Sequence, residues 1–465
     1  MSDSTSTPMN QGMKLPAAAQ AANRGENPGT NPGTNAGAKP AGVRPVRTAA
    51  SLIVLRDGAA SGRGLEVLML RRAEKEADQN SGASVFPGGT VDTHDPAMHA
   101  SCCGLDDAAA SLRLAVPANG LDYYVAAVRE CFEEAGLLFA SDEAGALAPL
   151  DALPASEREA LRHSAEQGSD ALLHMCRERG WRLAVDRLRY FSHWLTPPGM
   201  PRRFDTRFFV ALAPQAQTPS ADTRETVECM WLTPAEALSE ARALKLMNVT
   251  RRILEQLQAF DTAQACIDGA QALREVPMIM PRVANGKAGR HPVNPWEPAY
   301  AEVGRLDPDG HGQCHHTLED GLVVRLSPHV LRVTTGAQAG HNSYLVGGGE
   351  GNAWALIDAP KDDGALATVR AAAPGEIRWT LATGAGGTSD ADAAPHLVDL
   401  GGLTLTTVRA SGERCFLLEE EKTLFSGSCA PARIALLPQD IDWIAPAQGF
   451  LRTPAEPMQP LLKPT

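Results

Sequence analysis

The first forty residues lack any apolar run long enough for a signal peptide or a membrane span, and no membrane partner is expected. Surplus positive charge is also missing. Forty-three Lys and Arg against 55 Asp and Glu leave a net charge of -12, the opposite of the basic footprint that a nucleic-acid surface needs. The nine cysteines contain no C-x-x-C pair, and Cys102-Cys103 is their only cluster. Reduced packing thiols follow as the default, and with them a cytoplasmic location. Aromatic residues make up only 5% of the chain against 43% hydrophobic, a balance ordinary for a soluble protein. With 465 residues the chain is too long for one core, which predicts two or three domains. Residues 1–45, with repeated Asn-Pro-Gly-Thr, read as a disordered tail.

What the chain does have is Arg129-Glu130-Cys131-Phe132-Glu133-Glu134-Ala135-Gly136-Leu137. On a helix, residues three and four apart share a face, so Glu130, Glu133 and Glu134 point roughly the same way. Like charges so placed repel unless a cation sits among them, and carboxylate oxygens with room for water suit Mg2+ or Mn2+. Gly136 predicts a left-handed stop to the helix. A solvated acidic face is the alternative reading of the glutamates alone.

Phe86-Pro87-Gly88-Gly89 precedes this stretch, and together they resemble the signature of the Nudix hydrolases: G, five residues, E, seven residues, then R-E-U-x-E-E-x-G-U, with U aliphatic. Cys131 stands at the first U and Asp95 at the first E. Between Asp95 and Arg129 lie 33 residues instead of seven, so the box is interrupted. The interruption, residues 97–119, reads as a surface excursion, which is tolerable because loop closure costs only logarithmically in length. Such an interrupted box resembles the coenzyme A diphosphatase branch of the family. That branch carries the accessory pattern L-L-T-x-R-[SA]-x3-R-x3-G-x3-F-P-G-G. Here Arg72-Ala73, Gly82 and Phe86 to Gly89 match, Leu70 replaces Thr, and Ala77 or Asp78 falls where the second Arg belongs.

The resemblance implies a Nudix α/β/α sandwich with a mixed sheet over residues 46–260. The first hairpin is read from two apolar runs, Ala49–Leu55 and Leu65–Leu70. Residues 152–187 read as a helical insert. Phe191–Gly199 and Arg203–Ala211 resemble the strand pair that completes the sheet in the same branch. Thr233 and Pro234 mark an N-cap and first helical position. By resemblance, Arg129, Glu130, Glu133 and Glu134 form the catalytic set, and the glutamates hold Mg2+ or Mn2+, with Glu225 or Glu228 as a further ligand. Substrate contacts are expected from Arg72, Phe86, Gly88, Gly89, Arg203 and Arg207. Alternation along a strand also accounts for Arg203, Asp205 and Arg207 without any ligand.

Residues 261–320 read as a linker, with His311, Cys314, His315 and His316 in a loop that fits no zinc spacing. From 321 to 455 short strands recur, and Gly340–Gly347 followed by Leu356-Ile357-Asp358-Ala359-Pro360 resembles the opening of a metallo-β-lactamase αββα fold. At that family's ligand positions stand Gly384, Gly386, Thr388 and Ser389, then Arg409–Gly412, Gly427-Ser428 and Pro446–Gly449. Zinc needs imidazole, thiolate or carboxylate, so no zinc is expected in this half.

The resemblance thus implies cleavage of the diphosphate of coenzyme A or acyl-coenzyme A, giving 3',5'-ADP and (acyl-)phosphopantetheine. The partial accessory pattern leaves other nucleoside diphosphate derivatives open, and a non-catalytic nucleotide sensor is the reading from another class. A small-molecule diphosphate is the expected partner, with no nucleic acid and no membrane, and with room for a homodimer.

Overall fold

A computed structural model describes residues 45–58, 64–75, 81–286, 289–336, 340–385 and 396–455. The expected tail, the Ala77/Asp78 position, Gly386, Thr388 and Ser389 lie outside the described residues. The central strand is β1 (Val46–Asp57), buried on both faces from Ala49 to Leu55. Its alternation splits two apolar layers: Ala50, Leu52 and Val54 face one, Ile53 and Leu55 the other. Partway along, β1 changes partner. Its C-terminal end pairs antiparallel with β2 (Leu65–Arg72), whereas Ala49 to Ser51 pair with β4 (Gly88–Thr90). β3 (Ser84–Val85) continues from β2.

On the first layer lies α2 (Gly120–Ala135), preceded by α1 (Asp107–Leu114). The short strands β5 (Ala140–Ser141) and β6 (Arg182–Leu183) pair with each other and bracket α3 (Ala155–Ala165) and α4 (Ser169–Glu178). β7 (Arg189–Leu195) and β8 (Arg203–Leu212) follow, β8 parallel to β1 over its whole length. β9 (Thr226–Leu232) pairs with β2. α5 (Pro234–Leu238) opens with a capping box between Thr233 and Glu236. α6 (Asn248–Leu257) and α7 (Ala263–Ala272) cover the second layer. The main sheet runs β10-β7-β8-β1-β2-β3, with β10 (Met278–Ile279) parallel to β7. This is the α/β/α sandwich with a mixed sheet that the resemblance implied.

Two expectations need correction. The stretch 97–119 is not a purely surface excursion: Met98, Cys102, Ala110 and Leu114 are buried in the layer shared with α2. Apolar spacing on α1 had no visible partner in sequence, and α2 supplies it. Nor is 261–320 an unstructured linker. α7 and β10 extend the first sandwich, and then come the hairpin β11 (Arg282–Gly286) and β12 (Gly289–Val293) and the helix α8 (Tyr300–Leu306). Val293, Ala299 and Val303 give this segment a small core of its own.

The last third builds two sheets. β13 (Val323–Ser327), β14 (Val330–Thr335), β15 (His341–Gly347), β16 (Ala353–Ile357) and β17 (Glu376–Leu381) form one, with α9 (Asp363–Ala371) between the last two strands in sequence. The other contains β18 (Gly384–Ala385), β19 (Leu397–Asp399), β20 (Thr404–Ala410), β21 (Glu413–Leu418), β22 (Thr423–Gly427) and β23 (Trp443–Pro446), with α10 (Pro431–Ile434) before β23. Alternation again decides the layers. Val330, Tyr344, Phe416 and Phe425 meet between the sheets, Leu331 and Val333 share a cluster with Val369 of α9, and Cys415 and Leu417 share one with Ile434 of α10. The order of layers is αββα. Among the described residues no helix is long and apolar enough to cross a membrane.

Candidate active site

The interrupted box is reassembled in three dimensions. Asp95 is fully buried, and its Oδ1 accepts from Arg129 Nε at 3.2 Å although 33 residues separate them in sequence. Ser169, the first residue of α4, donates from its Oγ to the same oxygen at 2.5 Å. The helical insert therefore serves the box through Ser169. Arg129, 7% exposed in its side chain, also donates from Nη2 to Thr90 O at 2.9 Å and from Nη1 to Glu130 Oε1 at 2.9 Å and Glu133 Oε1 at 3.4 Å. It ties the end of β4 to two glutamates in one stroke.

Gly88 and Gly89 matter by close approach. A Cβ on Gly88 would lie 2.5 Å from Ala50 O, and one on Gly89 would lie 2.3 Å from Glu130 Oε1. The backbone N–H of Gly88 donates to Glu134 Oε2 at 2.9 Å. Gly136, at φ +69°, ends α2 in the left-handed turn that the sequence predicts.

Burial first, and mutual repulsion second, push Glu134 up to about 8. Burial outweighs the Arg129 charge at Glu133, which rises to about 7, and Glu130 is raised for the same reason. Burial works against the Arg129 guanidinium, but Glu130, Asp95 and Glu133 hold it above its ordinary value. One guanidinium thus serves several half-buried carboxylates, and the donors left over are hard oxygens of the kind that bind a divalent cation. Among the described residues no three His, Cys, Asp or Glu side chains already stand in metal-ligating geometry. Glu130 and Glu133 lean on Arg129, and Glu134 leans on Gly88. The donor set fits Mg2+ or Mn2+ in chemistry, with these hydrogen bonds to be exchanged on binding.

The other expected residues divide. Glu225 precedes β9, and its charge reaches both Glu130 and Glu134, raising each. Glu228 instead pairs with Arg71 Nε at 2.9 Å, half exposed on the β2–β9 ladder. The Arg72 charge acts on Glu134 from the end of β2. Phe86 is buried in the layer facing α6 and α7, away from the glutamates. Arg203 Nε donates to Thr196 O at 3.0 Å and is 8% exposed. Arg207 is 4% exposed, stacks 4.8 Å from the Tyr123 ring centre and pairs with Asp205, whose Oδ1 lies 2.6 Å from His193 Nε2. Phe86, Arg203 and Arg207 thus serve packing and a buried polar network, and the structure does not bring them to the carboxylates. Ser169 carried no signal in sequence.

In the C-terminal half, Asp358 follows β16 at φ +56° and its carboxylate accepts from Thr383 N at 2.7 Å and Thr383 Oγ1 at 2.8 Å. Ala447 N donates to Gly427 O at 2.8 Å, and Asn342 Nδ2 to Gly449 O at 2.8 Å. These bonds tie Asp358, Gly427 and Gly449 to neighbouring backbone and side chains.

The sandwich and the reassembled box give the first part of the chain the Nudix fold. Residues 98–248 match the family model of the NUDT19 Nudix domain. The chain is 29% identical over 217 residues to the acyl-coenzyme A diphosphatase NUDT19 of Gallus gallus, covering 39% of this chain and 57% of that protein. It is 30% identical over 132 residues to the protein of the same name from Xenopus laevis, covering 26% and 35%. The chain therefore spans about half the length, or less, of these curated relatives. A NUDIX hydrolase of known structure from Alicyclobacillus acidocaldarius is 29% identical, covering 50% of this chain and 99% of that one, with a TM-score of 0.41.

Proposed function

We propose that the protein is a Mg2+- or Mn2+-dependent Nudix hydrolase that cleaves the diphosphate of coenzyme A or acyl-coenzyme A to 3',5'-ADP and (acyl-)phosphopantetheine. The observation that carries the reading is the buried Asp95–Arg129 contact, which closes an interrupted box around Glu130, Glu133 and Glu134. The name of the NUDT19 relatives supports the substrate. Glu130, Glu133 and Glu134 would hold the cation, with Glu225 rather than Glu228 as the further carboxylate. When bound, the cation neutralises phosphoryl charge and lowers the pKa of the attacking water. Arg129 orients Glu130 and Glu133, Gly88 N–H orients Glu134, and Arg72, whose charge acts on Glu134, would meet the diphosphate.

The test is incubation with coenzyme A and Mg2+, with 3',5'-ADP read by mass spectrometry. Hydrolysis of other nucleoside diphosphate derivatives only would replace the substrate, and hydrolysis of none would favour the nucleotide-sensor reading. The C-terminal αββα domain is proposed as a metallo-β-lactamase-like fold without its metals, supported by the Asp358–Thr383 bonds. Two zinc ions per purified chain would overturn that. The same reading keeps the chain in the cytoplasm, without nucleic-acid or membrane partners and with room for a homodimer.

A further inference from the structure

The last turn of an α-helix leaves its carbonyls without intrahelical donors, and α2 ends inside the protein, where water is scarce. Each of its terminal carbonyls has a named donor. Gly136 N reaches Phe132 O at 3.0 Å, Arg162 Nε reaches Glu133 O at 2.8 Å, Thr226 Oγ1 reaches Glu134 O at 3.0 Å, and Ser220 N reaches Ala135 O at 2.9 Å. Two of these carbonyls belong to Glu133 and Glu134 themselves. The Arg162 side chain, on α3 of the helical insert, is buried, and its Nη1 continues to Ser220 O at 2.9 Å and Ser220 Oγ at 3.3 Å. It therefore holds the backbone of a box glutamate and the loop that caps the helix together. A cation at this end also opposes the negative end of the helix dipole, to which Glu133 and Glu134 add their own charge.

We infer that Arg162 is a positioning residue of the Nudix site: through Glu133 O and Ser220 it fixes the last turn of α2, and so the directions from which Glu133 and Glu134 reach a divalent cation. The inference rests on the proposed metal-dependent reading. It gives the insert a role in the chemistry, since an arginine more than twenty residues past the box becomes part of the box's support. Thr226 acts in parallel on Glu134 from the start of β9.

Mn2+ alone is the probe, titrated into the full chain and followed by electron paramagnetic resonance, with Tm and steady-state kinetics beside it. Arg162→Ala is expected to weaken Mn2+ binding by about tenfold or more, the usual cost of losing a support one shell out from a metal. Its kcat should fall while KM stays close to wild type. Arg162→Lys keeps the charge but cannot donate in both directions, so it should recover part of the affinity. If Arg162→Ala fails to fold, Thr226→Val removes the donor to Glu134 O with almost no change of shape, and a weaker loss of Mn2+ affinity is expected there. Unchanged Mn2+ affinity in the folded variants, with only Tm lowered, would reduce Arg162 to an anchor for the insert and overturn the inference. No Mn2+ binding by the wild-type chain would instead remove the metal-dependent reading itself.

Discussion

Glu133 and Glu134 are neighbours in sequence that lean on different partners, the Arg129 guanidinium and the Gly88 N–H. Replacing Glu133 by Gln keeps the volume and removes the charge. Hydrolysis by that variant is expected to fall about a hundredfold or more, in the range seen when an electrostatic stabiliser of the transition state is lost. Wild-type rates in Glu133→Gln would sink the metal-site assignment. The same glutamates set a pH dependence. Folding raises their pKa values from 4.5 to about 7 and about 8, so the folded chain binds these protons more tightly than the unfolded chain. Their stabilising contribution is complete below the unfolded value and is lost as pH rises through the folded values. Chelator-treated protein should therefore lose Tm between roughly pH 5 and pH 8.5, and Glu134→Gln should flatten that fall. A wild-type slope no steeper than the variant's would count against it. At this scale the sequence located the glutamates, because helical spacing is local, but it left Glu225 and Glu228 open. Only the β2–β9 ladder, which gives Glu228 to Arg71, separates them.

At the scale of elements, the fork in β1 makes room for Gly88 and Gly89 of β4, and the two glycines carry different loads. A Cβ on Gly88 would strike the β1 backbone at Ala50 O and Ser51 Cα, which cannot yield locally. Gly88→Ala is expected to cost about 1–3 kcal/mol in denaturant unfolding, as overpacking does. A Cβ on Gly89 would strike the end of the Glu130 side chain, which can swing aside. Gly89→Ala should leave stability within about 1 kcal/mol of wild type and yet depress hydrolysis, since the penalty falls on the position of Glu130. Equal losses of stability in the two variants would refute the distinction. Strand and helix identities here were legible: the Ala49–Leu55 and Arg203–Ala211 runs lie within β1 and β8, and Thr233 is the N-cap of α5. The faces were not. Arg203 and Arg207 stand at strand positions that fit a substrate contact equally well, and their burial beside Thr196, Asp205 and Tyr123 depends on what packs over the sheet.

For the whole molecule, the segment 261–320 is a packed joint. Glu302 on α8 takes a bidentate pair from Arg332 of β14, at 2.5 and 3.0 Å, and also accepts from Leu451 N at 2.7 Å. Both side chains are almost wholly buried, at 1% and 3% exposure. Removing one partner strands the other charge, so Arg332→Met is expected to destabilise the C-terminal half by about 3–5 kcal/mol. Arg332→Met with Glu302→Leu should cost less than the single change, because no buried charge is left unpaired. Urea unfolding of the two variants checks this, and a double variant weaker than the single would contradict it.

By itself the sequence determined what is local: the helix that carries Glu130, Glu133 and Glu134, its stop at Gly136, the alternating strands of both halves, and the residues of an interrupted box. These follow from spacing of a few residues, over which backbone geometry is nearly fixed. The tertiary structure decided what is distant. It brought Asp95 to Arg129 across the interruption, gave Glu228 to Arg71, turned Phe86 and Arg207 into the interior, and placed Ser169 and Arg162 of the insert beneath the box. Those contacts depend on how layers stack, and stacking is set by the shapes and burial of whole faces, which no short spacing encodes.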